Sequence, residues 1–144
     1  MPDDVILNKA EIIERCIGRV KDTYSRDPTA LQTDFFCQDM IVLNLERTCQ
    51  AAIDLGMRWV RIEALGVPKE SRDAFSLLAI AGKLPLDLTE SLKKMVGFRN
   101  IAVHEYREID FTIVKAIIER DFRDFRELIR RGLQVGTDNP TLTP

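Results

Sequence analysis

Histidine occurs once in this chain of 144 residues, tryptophan once and tyrosine twice. Cysteine occurs three times, at Cys16, Cys37 and Cys49, with no CxxC pair, so neither a zinc set nor a disulfide framework can be assembled from the pattern. Such thiols read as reduced and partly buried, which places the chain in the cytoplasm. No apolar run approaches the ~20 residues needed to cross a bilayer, so no membrane partner is expected. The acidic start, Met1-Pro2-Asp3-Asp4, lacks a signal-peptide core, and export is not expected either. An excess of positive charge is also missing: 21 Lys and Arg against 23 Asp and Glu give a net charge of −2. Bulk electrostatics therefore exclude a protein that coats DNA or RNA. Any RNA contact must come from cations concentrated locally, with a dimer or another partner helping to build the groove.

What is present is helical periodicity. Glycine is sparse, and alternating apolar–polar stretches are nearly absent. Val5, Ile6, Ile12, Ile13, Cys16, Ile17 and Val20 recur at three- and four-residue steps, predicting a first helix from about 4 to 25 with Asp3 or Asp4 at its cap. Pro28 breaks the chain. A long helix follows from about 33 to 64, its apolar stripe running from Phe36, Met40, Leu43 and Leu45 through Cys49, Ile53 and Gly56 to Trp59 and Val60. Ser71 is expected to cap a short third helix, and a fourth starts near Asp87 or Thr89. After a turn at 106–109, Asp110 is expected to cap a last helix from about 111 to 133. The prediction is an all-α, antiparallel bundle of four to five helices over residues 1–134, because short connections favour antiparallel neighbours. Residues 135–144 have no periodicity and are expected to form a flexible tail.

The only histidine lies in Phe98-Arg99-Asn100-Ile101-Ala102-Val103-His104-Glu105-Tyr106. Arginine can clamp a phosphate through its planar fork, and histidine, titrating near ~6.5, can accept or donate a proton near neutrality. On one ideal helix Arg99 and His104 diverge by ~140°, whereas Asn100 and His104 share a face and Tyr106 lies within ~20° of Arg99. Arg99 and His104 can meet on one phosphate only if the helix end unwinds near His104, or if two copies of the motif face each other across a twofold axis. From spacing alone, His104 is equally readable as a hydrogen-bonded core or interface histidine. Arg99 is equally readable as a surface partner of Glu90 or Glu105, and Tyr106 as an anchor at the helix end.

The same stretch, preceded by Leu92-Lys93-Lys94-Met95-Val96-Gly97, resembles the signature of ribonuclease toxins of the HEPN superfamily, HepT type: an arginine, a polar residue, a histidine, one residue and a tyrosine. Asn44-Leu45-Glu46-Arg47-Thr48-Cys49-Gln50-Ala51-Ala52-Ile53-Asp54 and Ser71-Arg72-Asp73-Ala74-Phe75-Ser76-Leu77-Leu78 are similar to that family as well, so the likeness spans roughly residues 4–133. It implies a homodimeric helical toxin of a type II or type VII-like toxin–antitoxin pair, cutting tRNA or mRNA in a groove at the dimer interface. It implies Arg99 and His104 as catalytic residues, Asn100 as support, and Tyr106 as the site where a cognate minimal nucleotidyltransferase antitoxin adds AMP and silences the toxin. No cofactor and no metal enter such a reaction, in which the RNA 2′-hydroxyl is the nucleophile. The alternative is a non-catalytic helical binding or regulatory subunit of a nucleotidyltransferase complex.

Lys93, Lys94 and Arg107 flank the motif and are candidates for RNA-phosphate contacts. The arginines of the last helix interleave with Glu119, Asp121, Asp124 and Glu127, as a solvated face with i,i+3 and i,i+4 pairs does. The acids Asp34, Asp39, Glu46 and Asp54 do not suggest a metal cluster.

Overall fold

In the computed structural model, which describes residues 1–136, helices account for nearly all of the regular structure. Helix α1 spans Asp4–Arg26, α2 is a single turn at Ala30–Thr33, and α3 spans Phe35–Ile62. They are followed by α4, Ser71–Ile80, and α5, Leu86–His104. After a 3-10 turn at Tyr106–Glu108, α6 covers Phe111–Ala116 and α7 covers Phe122–Gly132, joined by a π-helical turn at Ile117–Asp121. The all-α bundle expected from periodicity is what forms. The turn α2 was not foreseen, and the last helix, expected to be continuous, carries the π turn.

Residue pairing fixes the topology. Along α1 and α3, Asp3 meets Arg58, Lys9 meets Asp54, and Thr23 meets Met40, so the two helices run antiparallel. Gln50 meets Arg99 and Asp39 meets Tyr106, so α5 is antiparallel to α3. Glu14 meets Arg126 and Tyr24 meets Glu119, so α7 runs antiparallel to α1. Helix α4 packs against the second half of α3, where a Cβ on Gly56 would stand 3.1 Å from the Phe75 ring. The core is one cluster, with Ile6, Ile13, Ile17, Ile41, Leu45, Leu55, Phe75, Leu92 and Phe125 fully buried. Burying each such side chain stabilises the fold by about 1.5–3 kcal/mol before entropy is counted. Cys16, Cys37 and Cys49 are free and buried, and burial pushes the Cys49 thiol up to about 12.

Helix starts follow capping chemistry. Asp3 accepts from the N–H groups of Val5 and Ile6 at 3.1 Å and also takes both nitrogens of the Arg58 fork at 3.0 and 2.9 Å. Asp34 caps α3 and Asp110 caps α6. At α4 the cap residue is Glu70 rather than Ser71, because the Asp73 carboxylate accepts from the backbone N–H groups of Lys69 and Glu70 at 3.0 Å and pulls the start back one residue. The apolar stripe predicted for α3 is also corrected. Cys37, Ile41 and Leu45 face the core, while Phe36 is 88% exposed and Leu43 45% exposed. Val135, assigned to the tail by the sequence, is buried in the core cluster, and the rest of that tail, 137–144, lies outside the described residues.

Glu127 ties the end of α7 together, accepting from Arg130 at 2.5 and 2.9 Å and from Arg131 at 2.9 Å. The Arg130 hydrogen bonds are the main cause that holds its carboxyl down at about 2, against an ordinary value of 4.5. A carboxyl with a depressed folded value contributes stability that is whole above pH 4.5 and is lost as the pH falls toward 2. Glu127→Gln is therefore expected to melt at a lower temperature than the natural chain near neutral pH. Followed by circular dichroism, the gap should narrow from pH 4.5 downward and vanish by about pH 2.

Candidate functional site

Arg99, Asn100, His104 and Tyr106 sit at the C-terminal end of α5 and on the turn after it. The helix ends at His104 because Glu105 leaves helical geometry, with φ −139° and ψ 53°. The ideal-helix projection that set Tyr106 beside Arg99 therefore stops applying at Glu105. What brings the two together is α3.

Helix α3 offers Asp39, Glu46 and Gln50 at steps of seven and four residues, hence on one face. Arg99, half-buried, donates from Nη1 to Gln50 Oε1 at 2.9 Å, and its Nε is buried with no partner. The Tyr106 hydroxyl donates to the Asp39 carboxylate. Between these contacts lies Glu46, whose carboxyl is raised by burial and drawn partly back by the charges of Arg47 and Arg99. Tyr106 is raised well above the usual phenol value, first by burial, then by the Asp39 hydrogen bond and charge, then by the charge of Glu46. Arg99 and Tyr106 thus face a shared acidic strip on α3, and Tyr106 is a neutral phenol whose proton already has an acceptor.

His104 is exposed at the helix end and lines an open cleft of about 530 Å³ with Glu105, Tyr106, Arg107 and Glu108. Asn100, one turn back on the same face of α5, borders a different cleft, of about 350 Å³, shared with Val96 and the start of α4. Within one chain, then, Tyr106 and Arg107 accompany His104, while Arg99 turns toward α3. Lys94 lies in a separate, larger cleft between α5 and α6, with Met95, Phe98 and Ile113, and Lys93 is half-buried. Asp39, Glu46 and Gln50 are the site residues that sequence reasoning missed. It considered Asp39 and Glu46 only as metal ligands, and their shared helical face was the available signal. Among the described residues no group of three or more His, Cys, Asp or Glu converges as a metal site would.

Around this end of the molecule several large apolar side chains face solvent. Phe35 is 80% exposed and Phe36 88% exposed at the start of α3, and Met40, Leu43, Ile101 and Val103 are also exposed.

A model of HepT-like ribonucleases matches residues 13–131, which include all four motif positions. The chain belongs to the HepT-like ribonuclease family. An mRNA nuclease HepT of Shewanella oneidensis is 42% identical over 127 residues, covering 88% of this chain and 95% of that protein. A tri-AMPylated HEPN toxin of the same organism, solved in complex with an MNT antitoxin, superposes with a TM-score of 0.85 at 42% identity, over 90% of this chain and 96% of that one. A second toxin–antitoxin structure, solved with AMP-PNP, gives 0.85 at 41% identity, over 90% and 97% of the two chains. Membership in the HepT-like family agrees with the resemblance read from the sequence and with the all-helical fold.

The Tyr106–Asp39 bond gives this HepT-like chain a spectroscopic signature. It has only two tyrosines, and Tyr24, bonded to Glu119, is pushed up to about 12. Neither phenol should ionise near the ordinary value of 10. In Asp39→Asn the ultraviolet titration should show one phenol moving down toward 10, with burial keeping it from arriving there fully.

Proposed function

We propose that this chain is the toxin of a toxin–antitoxin pair: a metal-independent endoribonuclease in which Arg99 and His104 act on RNA and Tyr106 is the site of silencing by AMP. The observation that carries the reading is the joint placement of Arg99, His104 and Tyr106 at one end of α5, beside an exposed apolar surface, in a member of a ribonuclease family. The homologous nuclease and the AMPylated toxin structure support it.

Arg99 and His104 do not converge within one chain, so a homodimer is part of the proposal. Covering Phe36, Met40, Leu43 and Val103 with a second copy removes apolar area from water and sets two motifs face to face. The RNA 2′-hydroxyl then attacks the adjacent phosphorus, and the bond to the 5′-oxygen breaks. With two copies of His104 at the groove, one accepts the 2′-hydroxyl proton and the other donates to the departing oxygen. Arg99 balances the added charge on the phosphorus oxygens. Asn100 supports from the next turn, and Arg107, Lys93 and Lys94 meet flanking phosphates. No step uses a metal, a cofactor, DNA or a membrane. Among the described residues no helix is long and apolar enough to span a bilayer, in keeping with work on cytoplasmic tRNA or mRNA.

Silencing follows from the same geometry. In a complex with a cognate minimal nucleotidyltransferase, the Tyr106 oxygen attacks the α-phosphorus of ATP, pyrophosphate leaves, and Asp39 takes the phenol proton. The attached phosphodiester brings a negative charge beside Arg99 and His104 and blocks the approach of RNA.

His104→Ala is expected to lower cleavage of purified RNA by about 10²–10⁴-fold with its melting temperature unchanged, and Arg99→Ala by a comparable factor while the chain remains folded. Products should carry 2′,3′-cyclic phosphate and 5′-hydroxyl ends and should persist in EDTA. Linear 3′-phosphates alone, or loss of activity in EDTA, would refute the mechanism. A natural chain that cuts no RNA would favour the non-catalytic binding subunit. Tyr106→Phe should keep cutting RNA but arrest growth even when the antitoxin is co-expressed. Equal rescue of both chains by the antitoxin would rule Tyr106 out as the silencing site.

A further inference from the structure

Arg72 is a cation to which neither the family signature nor the reaction above gives a task. It comes from Ser71-Arg72-Asp73 at the start of α4, and its guanidinium lies against α5, where a Cβ placed on Gly97 would stand 2.7 Å from Arg72 Nη2. The seat exists because position 97 has no side chain. Among the described residues no carboxylate stands within ion-pair distance of Arg72, although Glu70, two positions before it, borders the same cleft, and Asp87 and Glu90 line the larger cleft that Arg72 and Gly97 also border. That cleft, about 350 Å³, joins Arg72 to Asn100.

Position along α5 gives the arrangement a direction. Successive residues turn by about 100°, so Lys93, Gly97, Asn100 and His104 fall within about 60° of one another on one face. The face offers an ammonium at 93, a notch at 97 filled by the Arg72 guanidinium, a carboxamide at 100 and the imidazole at the helix end. From 97 to 104 the rise is about 10 Å. A single strand of RNA laid along it would meet donors at several successive steps, two of them cationic, in a chain whose net charge is −2.

We infer that this face of α5 is a subsite for the RNA backbone and that Arg72, seated on Gly97, is its phosphate anchor, two helical turns from His104. The inference rests on the ribonuclease reading and adds a binding segment outside the reacting atoms. Arg72 is a positioning residue. An unpaired guanidinium presents its fork without first breaking an internal ion pair, and a phosphate on it holds the strand against Asn100 with the next nucleotides directed toward His104.

The test uses the full-length chain with His104→Ala as a non-cutting scaffold and a fluorescent single-stranded RNA as probe, read by polarisation over a salt series. Adding Arg72→Ala is expected to weaken binding about tenfold at low salt. It should also flatten the slope of log affinity against log salt by about 0.7, one phosphate contact. Arg72→Lys should recover the slope but only part of the affinity, since charge remains and the fork is lost. Gly97→Ala displaces the guanidinium without changing the charge count, so it should weaken binding while leaving the melting temperature at least as high as before. In the cutting background, Arg72→Ala should raise KM more than it lowers kcat. Unchanged affinity and salt slope in Arg72→Ala, with the scaffold binding RNA, overturns the subsite alone. A scaffold that binds no RNA overturns the ribonuclease reading and the subsite with it.

Discussion

The antiparallel seating of α5 on α3 is the constraint from which the arrangement of the site follows. Arg99 on Gln50 and Tyr106 on Asp39 are its polar ties, one inside the helix and one just past its end. Between them the chain leaves helical geometry at Glu105, and that departure lets Tyr106 reach α3 while His104 stays exposed. If α5 continued past Glu105, Tyr106 would follow the helix axis instead of bending to Asp39. The acidic strip on α3 then sets the electrostatics. Together with burial, the larger cause, it raises the Tyr106 phenol, and it keeps Arg99 near Glu46 without a direct ion pair.

An acidic chain that handles RNA must localise its cations, and the bundle does this by distributing acids and bases over different faces. The last helix spends much of its charge internally, Glu127 holding Arg130 and Arg131. Arg58 is committed to Asp3, and Arg126 leans on Glu14. The cations near the motif are less committed: Arg99 has a buried Nε without a partner, and Arg72 and Arg107 have no ion pair among the described residues. The exposed aromatic and aliphatic residues at the start of α3 belong to the same end of the molecule, so apolar surface and available positive charge occur together. That combination is what the proposed dimer would draw on, with a second copy covering the apolar residues.

Much of the fold was legible in the sequence because helical periodicity is a local property. Ile6, Ile13 and Ile17 mark the buried side of α1, and Asp3 and Asp110 mark helix starts through hydrogen bonds that span two or three residues. Where several apolar residues competed, periodicity misled. Phe36 and Leu43 continue an apolar stripe in the sequence, yet the face of α3 that meets α1 and α5 runs through Cys37, Ile41 and Leu45. Asp73 overrode Ser71 at α4 because a carboxylate three residues into the helix can collect two backbone donors at once.

The sequence by itself determined the helical class, the order of the main helices and the chemical inventory of the motif, since each depends on residues within a few positions of one another. It could also show that Arg99 and His104 point apart on a single helix. Only the tertiary structure decided what stands opposite them: Gln50 before Arg99, Asp39 before Tyr106, and Gly97 beneath Arg72. These pairs are separated by 49, 67 and 25 positions, and no local rule reaches that far. They arise because burying the shared core fixes the rotation and register of each helix, and the polar side chains must then bond with whatever the packing places before them.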